Sequence, residues 1–289
     1  MKDSLLNVVC FLLNTILYYY LFAPKLSYED TESNEKMLAY ENKKIKTLTV
    51  YCFFVIVCQF FINTYAITNK CGGNAKSNIA FAAMYTILPW LCMFGFVIVA
   101  LTVFPAFKLV FSDVIGYFYI SSAANNLLTE LLVDEKVEEH MNKTNMSDDE
   151  KAKITKVADT IIKICGNTSI LINRMLPSNF EEFWRILSPL KKAKYQPTRN
   201  DDKYVENPDA ITLKENLLKL VVTKDNVGEA MWFAYTGILI SSIISMKIAT
   251  NKCYISQETM EKNYKDFQEK EEQTHNDKEN AKETVYTID

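Results

Sequence analysis

Four stretches of this sequence run for about twenty residues with no charge except Lys247: Leu5–Ala23, Leu48–Thr68, Ile79–Phe104 and Met231–Ala249. A hydrocarbon core needs roughly 20 helical residues to cross it, and it offers backbone amides no partner outside the helix. Lys247 lies close enough to a span end to reach the water. Tyr18, Tyr19, Tyr20, Tyr51, Tyr65 and Trp232 fall near span ends, where amphipathic rings collect. These features predict an all-α polytopic membrane protein with about four transmembrane helices. The first stretch is long for a cleaved leader and ends Phe22-Ala23-Pro24 without a small-x-small site, so it reads as an uncleaved anchor.

The spans hold Asn14, Gln59 and Asn63 but no Asp, Glu or His. Amides and hydroxyls in hydrocarbon bond between helices, whereas a coupled transport path calls for ionisable groups. Polar adhesion between helices is therefore the preferred reading. Pro89 removes a hydrogen bond inside the third span and should loosen it. Directly after that span, 107–128 is half apolar but carries Lys108, Asp113 and paired Asn, which predicts an amphipathic helix lying at the interface. A fifth span or a re-entrant segment is the alternative.

The expected organisation follows. Residues 1–128 hold three spans and the interfacial helix, 129–229 a small helical extramembrane domain, 230–253 the fourth span, and 254–289 a charged, flexible tail. Residues 25–46 form a charged hairpin, and Asp225-Asn226-Val227-Gly228 a flexible approach to the last span. In the 129–229 domain, Ser147 with Glu150 and Ser178 with Glu181 have capping-box spacing ahead of helically periodic apolar residues. No alternating β pattern appears. Its Phe180, Phe183, Trp184, Arg174 and Arg185 are candidate protein-contact residues, since aromatics and Arg anchor interfaces most often.

Little here points to chemistry. There are two His and seven Gly, no phosphate-binding or hydrolase motif, and seven Cys without CxxC spacing. His140, beside Glu138 and Glu139, reads as part of a solvated helix face. No catalytic, metal or cofactor site and no small-molecule substrate is expected. A net charge of −3 gives no case for a nucleic-acid partner. The expected partners are the lipid bilayer and other membrane or capsid proteins.

Four spans place the 24–46 segment and the helical domain on one side of the membrane. Residues 69–78 and the C-terminal tail then share the other. Membrane-flanking lysines number nine on the first side and seven on the second, which points the helical domain to the cytoplasm. The tetrapeptide Thr-Asn-Lys-Cys ends both the second span, at Cys71, and the fourth, at Cys253. Two cysteines at matching depth on an oxidising face can bridge, so Cys71–Cys253 is a candidate disulfide. The sequons at Asn142, Asn145 and Asn167 would then stay unmodified.

Two segments carry a resemblance. Phe104-Pro-Ala-Phe-Lys-Leu-Val-Phe-Ser-Asp-Val-Ile-Gly-Tyr117 follows the third span, and Leu220-Val-Val-Thr-Lys-Asp-Asn-Val-Gly-Glu-Ala-Met-Trp-Phe-Ala-Tyr-Thr-Gly-Ile-Leu239 leads into the fourth. Both resemble membrane-embedded minor capsid proteins of large icosahedral double-stranded DNA viruses, with Ala106-Phe107 standing where that pattern has Gly-Trp. The resemblance implies a structural protein that links a viral inner membrane to the capsid shell, its helical domain facing the shell. A transporter or channel subunit, or a membrane-remodelling protein, is the alternative.

Overall fold

The computed structural model describes residues 2–31, 33–71, 75–132, 168–196, 198–200, 203–205, 207–250, 253 and 257–283. Every apolar stretch lies in helix, and two of those helices outrun it. α1 (Lys2–Leu17) widens into a π turn at Tyr18–Phe22 and stops before Pro24. After the short α2 (Tyr28–Thr31), α3 runs unbroken from Asn34 to Cys71. From residue 34 onward, the expected charged hairpin is instead the opening of the second membrane helix. The run Glu35-Lys-Met-Leu-Ala-Tyr-Glu-Asn-Lys-Lys44 has no Gly or Pro and consists mostly of strong helix formers, so nothing interrupts it.

The third span has two halves. α4 (Ala75–Pro89) passes through a π turn at Trp90–Phe94 into α5 (Gly95–Val103). Pro89 lacks the amide that would tie it to the preceding turn, and the helix re-registers just beyond it. Phe104, at φ −122° and ψ 75°, ends the span before Pro105. A 3₁₀ turn (Pro105–Lys108), α6 (Leu109–Phe111), a π turn (Ser112–Gly116) and α7 (Tyr117–Leu131) then follow with no gap.

Beyond them come α8 (Thr168–Arg174) and α9 (Phe180–Leu187), then a hairpin of β1 (Thr198–Asn200) and β2 (Lys203–Val205). The hairpin pairs Thr198 with Val205 and Asn200 with Lys203. Three-residue strands are too short to show alternation, and the fold class remains all-α. α10 (Pro208–Thr250) is a single 43-residue helix that takes in both the approach at 225–228 and the last span. α11 (Gln257–Glu283) replaces the expected flexible tail and is exposed from Met260 to Lys278. Opposite charges four residues apart, as in Glu261–Lys265 and Asp266–Lys270, support a helix that is exposed over these turns.

Contacts divide the chain into two units. The first comprises Met1–Phe11, Phe54–Cys92 and Ile238–Asp289. Inside it, the Asn7 Nδ2 donates to Asn63 Oδ1 at 2.8 Å, and Asn63 Nδ2 donates to Thr86 Oγ1 at 2.9 Å. Gln59 Nε2 donates to the Asn7 carbonyl at 3.0 Å. These bonds join α1, α3 and α4 through the polar groups expected to hold helices together. Cys71 and Cys253 are disulfide-bonded, with Cα atoms 5.1 Å apart. Lys70 beside them donates to the Ile248 and Ala249 carbonyls at 2.7 Å, groups that the end of α10 leaves unpaired.

The second unit comprises Leu12–Phe53 and Met93–Gly237. Its core joins Ile120, Ala124 and Leu128 of α7 to Ile172 of α8, Phe180 and Trp184 of α9, and Leu217 and Val221 of α10. No boundary therefore falls at 128/129, because α7 is one wall of the helical domain. Glu181 does not close a capping box. Its two oxygens accept from Thr31 Oγ1 at 2.9 Å and from Lys214 Nζ at 2.9 Å.

Candidate functional site: the crossing of 105–117 with 220–235

The two segments that carry the resemblance pack against each other, and glycine makes the approach possible. A Cβ at Gly116 would lie 2.5 Å from the Lys224 carbonyl oxygen, and one at Gly228 would lie 2.5 Å from Ser112 Cβ and 2.9 Å from the Lys108 carbonyl. Only residues without a side chain let two helices come this near. Lys108, Ser112 and Gly116, spaced four apart and all buried, face α10. Phe104, Phe107, Val110, Val114 and Phe118 occupy the exposed side.

Such close contact brings charges together at depth. Lys108 Nζ lies 3.1 Å from Asp225 Oδ2 and 2.8 Å from Glu229 Oε2. Lys44 of α3 reaches the same carboxylates, at 3.0 Å from Glu229 and 3.9 Å from Asp225. Tyr19, in the π turn after α1, donates its hydroxyl to Glu229 Oε1 at 3.0 Å. Two ammonium groups and two carboxylates therefore balance within a buried network, and the burial cost of each is offset by direct partners. One turn earlier, Lys224 Nζ donates to Asp113 Oδ1 at 3.1 Å, while Asn173 Nδ2 donates to the Asp113 carbonyl at 3.0 Å. Trp232 Nε1 donates to the Phe107 carbonyl at 2.8 Å, and its ring meets Phe111 edge-on at 5.1 Å. The rings of Tyr51, Phe94 and Phe233 meet nearby in tilted or edge-on contacts, with centroids 5.3 to 5.9 Å apart.

This arrangement locks helices together. Its carboxylates are engaged by lysines, and among the described residues no group of three His, Cys, Asp or Glu could hold a metal. His140, the three sequons and the Ser147–Glu150 box lie outside the described residues. The network is hard to see in the sequence, because Asp225 opens the stretch that reads as a flexible approach and Glu229 falls at the expected edge of the helical domain. The usable signal was their spacing: an i, i+4 acidic pair occupies one helix face just before a span, and Lys44 and Lys108 stand at the ends of two others.

The candidate contact residues separate into two groups. Phe180 and Trp184 are core residues, and the Lys191 ammonium sits 3.7 Å over the Trp184 ring. They are packing residues and not the expected surface anchors, because the amphipathic face of α9 turns them inward. Phe183 is half-buried against the same core. Arg174 and Arg185 are exposed and make no ion pair among the described residues.

Comparisons with protein-family models, with curated proteins and with solved structures find no match to this chain. Its own architecture defines its class. Among the described residues, four helices long and apolar enough to cross a bilayer, two of them extending into a helical domain, make a polytopic all-α integral membrane protein.

Proposed function

We propose that this protein is a structural membrane component, a minor capsid protein that ties a viral inner membrane to its shell. The network of Lys44, Lys108, Asp225 and Glu229 is the observation that carries the structural role: its charges are spent on one another, fixing the helical domain to the membrane helices. A transporter would direct such groups at a cargo. The viral setting comes from the resemblance of the two segments that form this crossing. In this reading the helical domain faces the cytoplasm and the shell, and Arg174 and Arg185 meet acidic groups of a neighbour with exposed Ile170 and Ile186 beside them.

The test is particle incorporation of Arg174→Glu/Arg185→Glu. Both side chains are exposed, so insertion and folding should be unchanged while incorporation falls at least tenfold, as reversing interface charges disfavours a partner by several kcal/mol. Normal incorporation would remove this face as the contact. Ion conduction or solute uptake by the purified protein in liposomes would overturn the structural reading.

A further inference from the structure

A cavity of about 160 Å³ opens beside the charge network, and its lining has an unusual balance. Leu48, the first residue of the second apolar stretch, and Leu101, in the last turn of the third span, supply apolar wall, and both fall at the ends of apolar stretches. Lys44, Lys108, Asp225 and Glu229 supply the charged wall. Glu41 adds a third carboxylate. Two ammonium groups against three carboxylates leave a net charge of −1. Glu41 is exposed and has no hydrogen bond or ion pair among the described residues, whereas the other two acids are held by lysines. An occupant that complements this lining brings a hydrogen-bonding cation for Glu41, an apolar portion for the leucines, and a position at the lipid–water boundary.

We propose that the cavity is a headgroup site for an aminophospholipid, with its primary ammonium on Glu41. The phosphodiester of the same headgroup brings a negative charge to a lining that also holds two lysines, and the glyceryl end continues along Leu48 and Leu101. A purely anionic lipid lacks the cation and meets the unpaired carboxylate instead. The inference rests on the reading of the chain as a lipid-held anchor, and the two are tested apart: lipid selectivity is read on isolated protein, incorporation in particles.

The experiment titrates the purified full-length protein in detergent with phosphatidylethanolamine or phosphatidylglycerol of identical chains, scoring bound lipid by native mass spectrometry. Phosphatidylethanolamine should bind the more tightly. Glu41→Gln should cost it about tenfold, the scale of one charge-assisted hydrogen bond, with the thermal midpoint and the Cys71–Cys253 bond unchanged. Tighter binding of phosphatidylglycerol, or equal phosphatidylethanolamine binding by Glu41→Gln, would overturn the proposal. Glycerophosphoethanolamine should compete only weakly. If it, or a short lysine peptide, displaced the lipid at equal concentration, the site would belong to a soluble amine or to a partner's basic side chain.

Discussion

Gly228 and Glu229 are neighbours that hold the same crossing by different means. At Gly228 the issue is space: a methyl group would meet Ser112 Cβ and a backbone oxygen that cannot swing away. Gly228→Ala should therefore destabilise the protein by roughly 1–3 kcal/mol despite the better helix propensity of Ala. Gly95 is the internal control, since a Cβ there has nothing within 4 Å, and Gly95→Ala should be neutral or stabilising by up to about 1 kcal/mol. Thermal unfolding in one detergent compares the two, and equal midpoints would mean the helices are less closely packed than the structure has them. At Glu229 the issue is charge. Glu229→Gln keeps the shape but leaves Lys44 and Lys108 to share Asp225, an imbalance that should cost about 3–5 kcal/mol. Adding Lys44→Met removes the surplus charge, so the double variant should be more stable than the sum of the two single losses allows. Strict additivity would show that these residues do not act as a network.

At the scale of elements, the rod from Pro105 to Leu131 combines two environments. Its buried side, Lys108, Ser112, Gly116, Ile120 and Ala124, packs into protein. Its opposite side exposes Val114 and Phe118, the latter 82% exposed. An apolar stripe of this length facing water would be an aggregation site, whereas at a bilayer interface it is an anchor. A solvatochromic probe on Phe118→Cys should report an apolar setting in vesicles and be quenched by brominated lipid, while the same probe on Arg185→Cys should do neither. An aqueous signal at 118 would place this helix away from lipid. Sequence alone made the spans legible, because hydrocarbon length and the absence of charge leave few other structures open to such stretches. It also placed the Pro89 break and the Cys71–Cys253 pair, each carried by local spelling. It did not show that α3 and α10 run on beyond their apolar stretches, since charged turns look like a boundary until their pairing with one another is seen. The inward turn of Phe180 and Trp184 was equally illegible, because an amphipathic face looks the same whether it meets its own domain or a partner.

For the whole molecule, the disulfide bears on the proposed topology. Disulfides persist on the oxidising side of a membrane, so the proposed topology places bonded Cys71 and Cys253 on that side. The proposed four-span topology puts the 24–46 segment and the helical domain in the reducing compartment, the side that the lysine count favours. Sealed, cytoplasm-out vesicles decide the matter, using chains in which Cys10, Cys52, Cys58, Cys92 and Cys165 are alanine. With Arg185→Cys, a membrane-impermeant maleimide should label the protein at once, because that exposed position lies on α9. With Glu269→Cys, on the exposed α11, labelling should wait until the vesicles are permeabilised. The reverse order would invert the topology and take Arg174 and Arg185 away from any cytoplasmic shell. Immediate labelling of both would mean an even number of crossings between them, in place of the single crossing by α10, and the rod from Pro105 to Leu131 could not supply the extra one because it precedes α9. Delayed labelling of Glu269→Cys alone, by contrast, requires the last span to cross as drawn, with the disulfide on the far side from the helical domain.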